Sequence, residues 1–249
     1  MKALILAAGY ATRLYPLTKE YPKPLLEVEG RPIIDYLIEK LGEAEEVDEI
    51  IVVINSKFMS HFRKWKLALK IKKNVHLVDD LTESLGDRRG AIGDMEFAIN
   101  KKQIKDDLLV IGGDNLFDAK LNGFLSFIKT NKTNPVIGVY DIKDKQEARK
   151  YGVLKLDAKN RVVDFQEKPT NPKSTLAAMC LYYFPKEKLG LIREYLSSKA
   201  NKRDATGFYI DWLRKRESVY GFAFGGRWFD IGDQKFYDAA KEVFSKEGV

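Results

Sequence analysis

The chain has 249 residues, 45% hydrophobic and 32% charged, a balance that excludes a disordered polyampholyte and suffices for a full buried core. Its net charge of +7 comes from 43 Lys and Arg interspersed with 36 Asp and Glu, which suits anionic small ligands and lacks the one-sided basic concentration of a nucleic-acid binder. Cys180 is the only cysteine, so no intrachain disulfide forms, and the early apolar run Ala3 to Ala8 is too short for a membrane span and ends without a cleavage site. The reading is a cytoplasmic protein with neither nucleic acid nor membrane as partner.

Lys2 to Leu6 reads as a first strand, Ile33 to Leu41 has a helical apolar period, and Glu49 to Ile54 reads as a buried strand. Val75 to Val78 is a weaker strand, and Lys66 to Lys73, basic residues alternating with apolar ones, reads as a solvated helix edge. Met95 to Ile99 follows as a helix. Leu108 to Ile111 is a further apolar strand running into Gly112-Gly113-Asp114-Asn115. This alternation predicts βα units feeding a mostly parallel sheet.

After a helix at Leu121 to Ile128 and a strand at Val136 to Tyr140, the pattern shortens. Gly152 to Leu156, Val162 to Gln166 and Ala177 to Phe184 read as strands with few helices between them. Helices return at Lys186 to Ser197, Phe208 to Lys215 and Gln234 to Phe244, separated by the strand-like Val219 to Phe224 and Arg227 to Phe229. The expected fold is α/β: a Rossmann-like, three-layer, mostly parallel sheet with an inserted mixed or antiparallel acceptor-binding portion. No repeat or linker interrupts it. One domain over 1–249 is therefore expected, with a nucleotide-binding half near 1–118 facing an acceptor-binding half at 119–249. Trp65 and Tyr195 read as exposed aromatics that either mark an interface or pack locally. Oligomeric state is not legible, and a homo-oligomer stays open.

Chemistry concentrates at strand ends. Leu6-Ala7-Ala8-Gly9-Tyr10-Ala11-Thr12-Arg13 leaves the first strand through small residues, which let backbone N–H groups approach phosphate oxygens, and reaches a guanidinium fork at Arg13. A glycine there also serves an ordinary strand-to-helix turn. Ten residues on, Pro22-Lys23-Pro24 braces one lysine between two prolines. Asp114 at the carboxyl end of a buried strand lies where open α/β sheets bind ligands, and its oxygens suit Mg2+; Asp230, after an aromatic strand, is a candidate partner across the cleft. The plain alternative for both is a turn or capping aspartate. Cys180, inside an apolar strand, reads as a structural thiol rather than a nucleophile.

The stretch LAAGYATRLYPLTKEYPKPLLEVEGRPII resembles the long signature of the sugar-nucleotide pyrophosphorylase family, the nucleoside-diphosphate-sugar synthases. Gly113-Asp114-Asn115, Tyr151-Gly152-Val153, Glu167-Lys168-Pro169 and Trp228-Phe229-Asp230-Ile231-Gly232 resemble four further family elements in the family's order. The resemblance covers essentially the whole chain and leaves no room for the carboxy-terminal β-helix that some bifunctional relatives append.

It implies a Mg2+-dependent nucleotidyltransferase. Asp114 and Asp230 would bind the metal, and Arg13, Lys23 and Lys168 would act on the phosphates. Leu6, Ala7, Ala8, Gly9, Thr12, Gly86, Arg88, Gly113 and Asp114 would line the nucleotide side, while Tyr151, Gly152, Glu167, Lys168 and Cys180 would line the acceptor side. Within that role Glu167 would hold sugar hydroxyls and Lys168 the acceptor phosphate. The thymidylyl and uridylyl branch is the nearest in pattern, which favours dTTP or UTP as donor and glucose 1-phosphate as acceptor.

Three departures bear on specificity. Ala11 and Cys180 stand where relatives carry glycine, and Ser84 to Ala91 replaces a PLGTAGA-like run with a longer one containing Arg88 and Arg89. Either arginine is expected to touch the triphosphate or to face solvent. Because Cys180 narrows the acceptor side, a cytidylyltransferase acting on phosphocholine or a polyol phosphate remains an alternative, as does a non-catalytic NDP-sugar-binding regulator. A nicotinamide or flavin site is disfavoured, since Gly9 to Leu14 lacks two of the three glycines of G-x-G-x-x-G.

Overall fold

Ala3, Leu4 and Ile5 are fully buried in β1 (Lys2–Leu6), as a central strand covered on both faces requires. The structure, a computed structural model, describes residues 1–245. After β1 the chain passes 3-10 turns at Thr12–Leu14 and Lys23–Leu25 and a short hairpin, β2 (Glu27–Val28) with β3 (Arg31–Pro32). There follow α1 (Ile33–Glu43), β4 (Glu49–Ile54), α2 (Met59–Ala68), β5 (Asn74–Asp79), α3 (Ala91–Lys102), β6 (Leu108–Gly112) and β7 (Asn115–Phe117). The second half holds α4 (Asn122–Thr130), β8 (Val136–Asp141), α5 (Lys145–Ala148), β9 (Gly152–Leu156), β10 (Val162–Glu167) and β11 (Leu176–Phe184). It ends with α6 (Gly190–Ser197), α7 (Thr206–Leu213), β12 (Tyr220–Phe224), β13 (Trp228–Asp230) and α8 (Gln234–Ser245).

The parallel strands run β5-β4-β1-β6. β11 then pairs antiparallel with β6 through Leu181–Phe184, and its other edge carries β8, which in turn takes β12 in parallel. The amino-terminal part of β11 meets β9, which pairs with β10. The expected parallel sheet with a mixed insertion is what the chain forms.

Burial explains the three layers. On one face Leu37, Ile38 and Leu41 of α1, Phe62 of α2 and Phe124 and Ile128 of α4 pack on Ile5, Val52 and Ile111. On the other, Met95 of α3, Ile192 of α6 and Ile210 of α7 pack on Leu4, Val53 and Val110. A third cluster of Leu14, Val28, Leu116, Ile231, Tyr237 and Phe244 ties α8 to the first loop and to β7. No helix among the described residues is long and apolar enough to cross a membrane.

Several expectations need correction. α3 starts at Ala91 rather than Met95, because Gly93 and the buried Asp94 break the apolar period of its first turn. α2 stops at Ala68, so Lys66 to Lys73 is a helix end and a loop rather than one helical edge, and Leu67 is 89% exposed. Trp65 and Tyr195 are buried and pack locally: the Trp65 indole donates to Asp35 at 2.7 Å and the Tyr195 hydroxyl to the Lys202 carbonyl at 2.7 Å. The helix expected from Lys186 begins as a 3-10 turn at Lys186–Lys188 and becomes α6 only at Gly190. The strand expected at Arg227 to Phe229 is shifted by one residue, so that Asp230 is its last member rather than its sequel.

That shift matters, because β13 pairs antiparallel with β7 and sets Asp230 opposite Asn115. Asn115 is buried; its Oδ1 accepts from the Trp228 indole N–H at 2.6 Å and its amide donates to the Gly112 carbonyl at 3.3 Å. Removing such a side chain strands its buried partners, at a cost of about 1–3 kcal/mol. Asn115→Ala is therefore expected to lower the unfolding free energy by about 1–3 kcal/mol in urea titration, and an unchanged midpoint would show that these hydrogen bonds do not hold β13 on β7.

Candidate functional site

From β1 the chain moves to β4 on one side, and β6 lies on the other, so the carboxyl ends of β1 and β6 bracket a topological switch point, the usual ligand crevice of an open α/β sheet. The two loops there are pinned together: the Gly113 N–H donates to the Leu6 carbonyl at 2.8 Å, and a Cβ at Gly113 would stand 2.9 Å from that oxygen. Gly9 is the reverse case. Nothing lies within 4 Å of its missing Cβ, so its backbone faces open space where a ligand can approach closely. The buried Asn55 amide donates to the Ala8 carbonyl at 2.9 Å, and the buried Thr18 hydroxyl donates to the Ala11 carbonyl at 2.7 Å. Ala11 itself is left-handed, with φ 46°.

Asp114 follows β6 and Asp230 ends β13. The β7–β13 ladder and the Ile231 N–H donating to the Asp114 carbonyl at 3.2 Å place both acids at one end of a cleft of about 770 Å3. Lys23, on its braced turn, donates from Nζ to Asp114 Oδ2 and to the Ile231 carbonyl at 2.8 Å, spanning the two segments. Burial and then the charge of Asp114 push Asp230 up to about 6, against the opposing pull of Lys23, Arg13 and Lys168. Arg13 and Lys168 line the cleft, and neither side chain makes a hydrogen bond or ion pair to the described residues.

The opposite wall is built by β9, β10, β11 and α7. Tyr151 packs between Trp228 and Phe236, with ring centroids 5.2 and 6.5 Å away. The Glu167 carboxylate lies over backbone: a Cβ at Gly207 would fall 1.8 Å from its Oε2, and one at Gly152 would fall 3.0 Å from it. Burial raises the Glu167 pKa while Lys168 lowers it. Cys180 sits at an irregularity of β11, with φ 51°, and projects its Sγ toward Gly112. Burial first, then Asp114 and Asp230, push its thiol up to about 12, so it is inert at neutral pH, in line with a structural thiol. Behind it the Tyr182 hydroxyl and Thr206 Oγ1 share a hydrogen bond of 2.7 Å.

Of the residues expected from sequence, Leu6, Ala7, Ala8, Gly9, Thr12, Arg13, Lys23, Arg88, Asp114, Tyr151, Gly152, Glu167, Lys168, Cys180 and Asp230 all line this one cleft. Gly113 pins its floor from behind. Gly86 does not line it; it occupies an exposed loop whose neighbour Leu85 does. Arg88 borders the mouth with its guanidinium committed to Asp204, through two contacts of 3.1 Å, and to the Leu85 carbonyl at 2.9 Å. Arg89 turns away from the cleft, donating to the Asp80 carbonyl at 2.6 Å and stacking on Phe97. Sequence reading missed Asp80, Asp94, Thr206 and Gly207. Only Asp80 carried a signal, a carboxylate just past a strand end like Asp114.

Residues 2–246 match the model of the nucleotidyl transferase family, and the chain belongs to that family. It is 32% identical over 232 residues to a bifunctional protein GlmU of Methanocaldococcus jannaschii, covering 93% of this chain and 51% of that protein. It is also 32% identical over 244 residues to a provisionally named mannose-1-phosphate guanyltransferase of Sulfolobus acidocaldarius, covering 95% and 61%. The chain thus spans between half and two thirds of the length of these relatives. Among solved structures, a UDP-glucose pyrophosphorylase complexed with UDP-glucose superposes with a TM-score of 0.82 at 21% identity, over 99% of this chain and 98% of that one. A provisionally named glucose-1-phosphate thymidylyltransferase from Bacillus anthracis gives 0.82 at 22% identity, over 98% and 94%. Both share the α/β fold.

Because the folded pKa of Asp230 lies above its ordinary 3.8, the folded state holds the proton more tightly, and the stability this contributes is full below pH 3.8 and lost as the pH rises through 6. Asp230→Asn is therefore expected to raise the melting temperature at pH 7 by about 2–4 °C, with the gain shrinking toward pH 4. A pH-independent difference in scanning fluorimetry would contradict the assignment.

Proposed function

We propose that the chain transfers a nucleoside monophosphate from an NTP to a sugar 1-phosphate and releases pyrophosphate. The observation that carries the reading is the convergence of two mutually repelling carboxylates, Asp114 and Asp230, with Arg13, Lys23 and Lys168 at one switch point. No group of three or more His, Cys, Asp or Glu side chains able to hold a metal occurs among the described residues. Two carboxylates are nevertheless the donor set that Mg2+ takes when substrate phosphates and water complete its shell. Asp114 and Asp230 would hold Mg2+, which when bound neutralises and orients phosphate oxygens.

Charge accounting assigns the remaining roles. An acceptor phosphate oxygen is already ionised near neutral pH, so attack at the α-phosphorus needs no general base, only alignment and neutralisation. Arg13, with its guanidinium uncommitted, binds the triphosphate and the departing pyrophosphate, and Lys168 receives the acceptor phosphate from the opposite wall. Lys23 stays between the two acids and screens their repulsion. Glu167, a half-buried acceptor over Gly152 and Gly207, takes hydroxyl donors of the acceptor. Displacement is in line, with inversion at the α-phosphorus. In this reading 1–118 contributes the donor side and 119–249 most of the acceptor side of one domain.

Relatives carry names that imply guanylyl, uridylyl and thymidylyl donors, so family membership leaves the base open. The resemblance to the thymidylyl and uridylyl branch favours dTTP or UTP with glucose 1-phosphate. One observation favours a second reading, transfer from CTP to phosphocholine or a polyol phosphate: the Cys180 side chain occupies the acceptor wall and suits a smaller alcohol phosphate.

A matrix of five NTPs against sugar 1-phosphates and alcohol phosphates, followed by pyrophosphate release, tests the proposal. Activity is expected with Mg2+ and none with EDTA. Asp114→Asn and Asp230→Asn should each lower kcat by about a hundredfold or more, while Lys168→Met should act chiefly on the acceptor KM. Absence of pyrophosphate release in every combination would overturn it.

A further inference from the structure

β5 ends the run of parallel strands, and its ladder with β4 is regular from Asn74 to Asp79. The Asp80 N–H donates to the Ile54 carbonyl and the Thr82 carbonyl accepts from the Ser56 N–H, both at 2.8 Å. Even-numbered residues therefore turn their backbone groups toward β4, and by alternation Val75, Leu77 and Asp79 turn theirs outward. Among the described residues nothing bonds those outward N–H and C=O groups. The other sheet edges are blunted. β10 is irregular between Val162 and Asp164, with the Val163 carbonyl accepting from the Arg214 guanidinium at 3.1 Å, and β12 donates from the Gly221 N–H to the Asn160 carbonyl at 2.8 Å.

A row of free backbone groups is a template for another strand, and lysines on an edge ordinarily repel one. Here the charges are arranged by end. The amino end of the edge carries Lys70, Lys72 and Lys73, and the carboxyl end carries Asp79, Asp80 and Glu83. A parallel copy of the strand would lay like charge on like, which opposes pairing, whereas an antiparallel copy lays each end on its opposite. The edge is therefore complementary to itself in one direction only.

We propose that two copies of this chain pair through β5, antiparallel about a two-fold axis at His76, so that their sheets join edge to edge. Residues opposite each other in an antiparallel pair turn their backbone groups either both inward or both away, so odd residues face odd ones and the axis falls on a residue rather than between two. An axis at His76 sets Val75 of one copy opposite Leu77 of the other, and Lys73 opposite Asp79. An axis at Leu77 would instead set Asp79 against the buried Val75 and leave Lys73 without an acid. The His76 ring is turned back to β4, with Nε2 3.1 Å from the Glu49 carboxylate, which leaves the axis clear. The same register brings Leu81, 63% exposed just past the strand, toward Ile71 of the other copy. Such a contact uses one patch twice and closes at two copies. Asp80, Leu85 and Arg88 follow β5 and line the cleft, so the pairing steadies the start of the loop that borders it.

Sedimentation velocity of the full chain from about 1 to 200 μM should show a monomer–dimer equilibrium of the weak class that a small interface supports. Leu77→Pro removes an outward N–H and no bond to β4, and should weaken the dimer about tenfold or more. His76→Cys reads the register: residues on the axis form a non-hydrogen-bonded pair with Cα atoms about 4.5 Å apart, within disulfide reach, so mild oxidation should give a covalent dimer that reduction splits. Asn74→Cys should give none, because its two copies lie about 14 Å apart along the strands; Cys180 is common to both variants. A monomer at every concentration, a folded Leu77→Pro protein that dimerises as the wild type does, or equal crosslinking by the two cysteine variants overturns the proposal. If Leu77→Pro does not fold, the crosslinks decide. No substrate enters these measurements, so the transferase reading stands or falls separately.

Discussion

Two like charges held close at the end of a sheet set the constraint on which the cleft depends. Carboxylates repel, and in this poorly solvated crevice burial first and the charge of Asp114 second push Asp230 up to about 6. They stay together because the backbone leaves them no alternative: β13 is laddered to β7, the Trp228 indole is anchored on Asn115, and Asn115 is anchored on Gly112. Folding energy from the buried clusters on both faces of the sheet is thus used to hold a locally unfavourable charge arrangement. Lys23 relieves part of it, and its position between two prolines explains how a flexible side chain is delivered to one place.

The surrounding cations divide into two kinds, and the difference is physical rather than positional. Lys23 and Arg88 have carboxylate partners, whereas Arg13 and Lys168 line the cleft with none among the described residues. An uncommitted cation in a concave, low-dielectric wall focuses anions, so the overall basicity of the chain matters less than where its unpaired cations lie.

Much of this was legible in the sequence. The continuous apolar runs of β1, β4 and β6 could be read because strands covered on both faces need no polar alternation, and the strand-end positions of Gly9 and Asp114 followed from β1 and β6, while that of Glu167 followed from the more polar β10. What escaped has physical reasons. β7, α5 and the β2–β3 hairpin are too short to show a period, and α2 buries only Phe62 and Trp65, too few to mark a face. Asp80 and Asp94 flank an irregular loop with no period of its own, and they meet only because α3 folds back against β1 and β4. The partnership of Arg88 with Asp204, 116 positions away, is invisible to any local pattern.

The two departures from the family's glycine pattern are the most informative of these residues. Ala11 and Cys180 both retain a left-handed backbone, with φ of 46° and 51°, a conformation that costs an L-residue about 1–2 kcal/mol. The backbone at both positions thus follows a path that glycine takes without that cost. At Ala11 the buried Thr18 hydroxyl grips the carbonyl and offsets part of the cost. At Cys180 the strained residue carries a side chain into the acceptor wall, between the paired acids and the Tyr182–Thr206 hydrogen bond. A thiol that does not ionise there contributes volume rather than reactivity. Strain at a site persists only where the surroundings over-determine it, and here the surroundings are the β11 irregularity and the Gly112 turn, so the shape of the acceptor side is set by the same junction that holds Asp114.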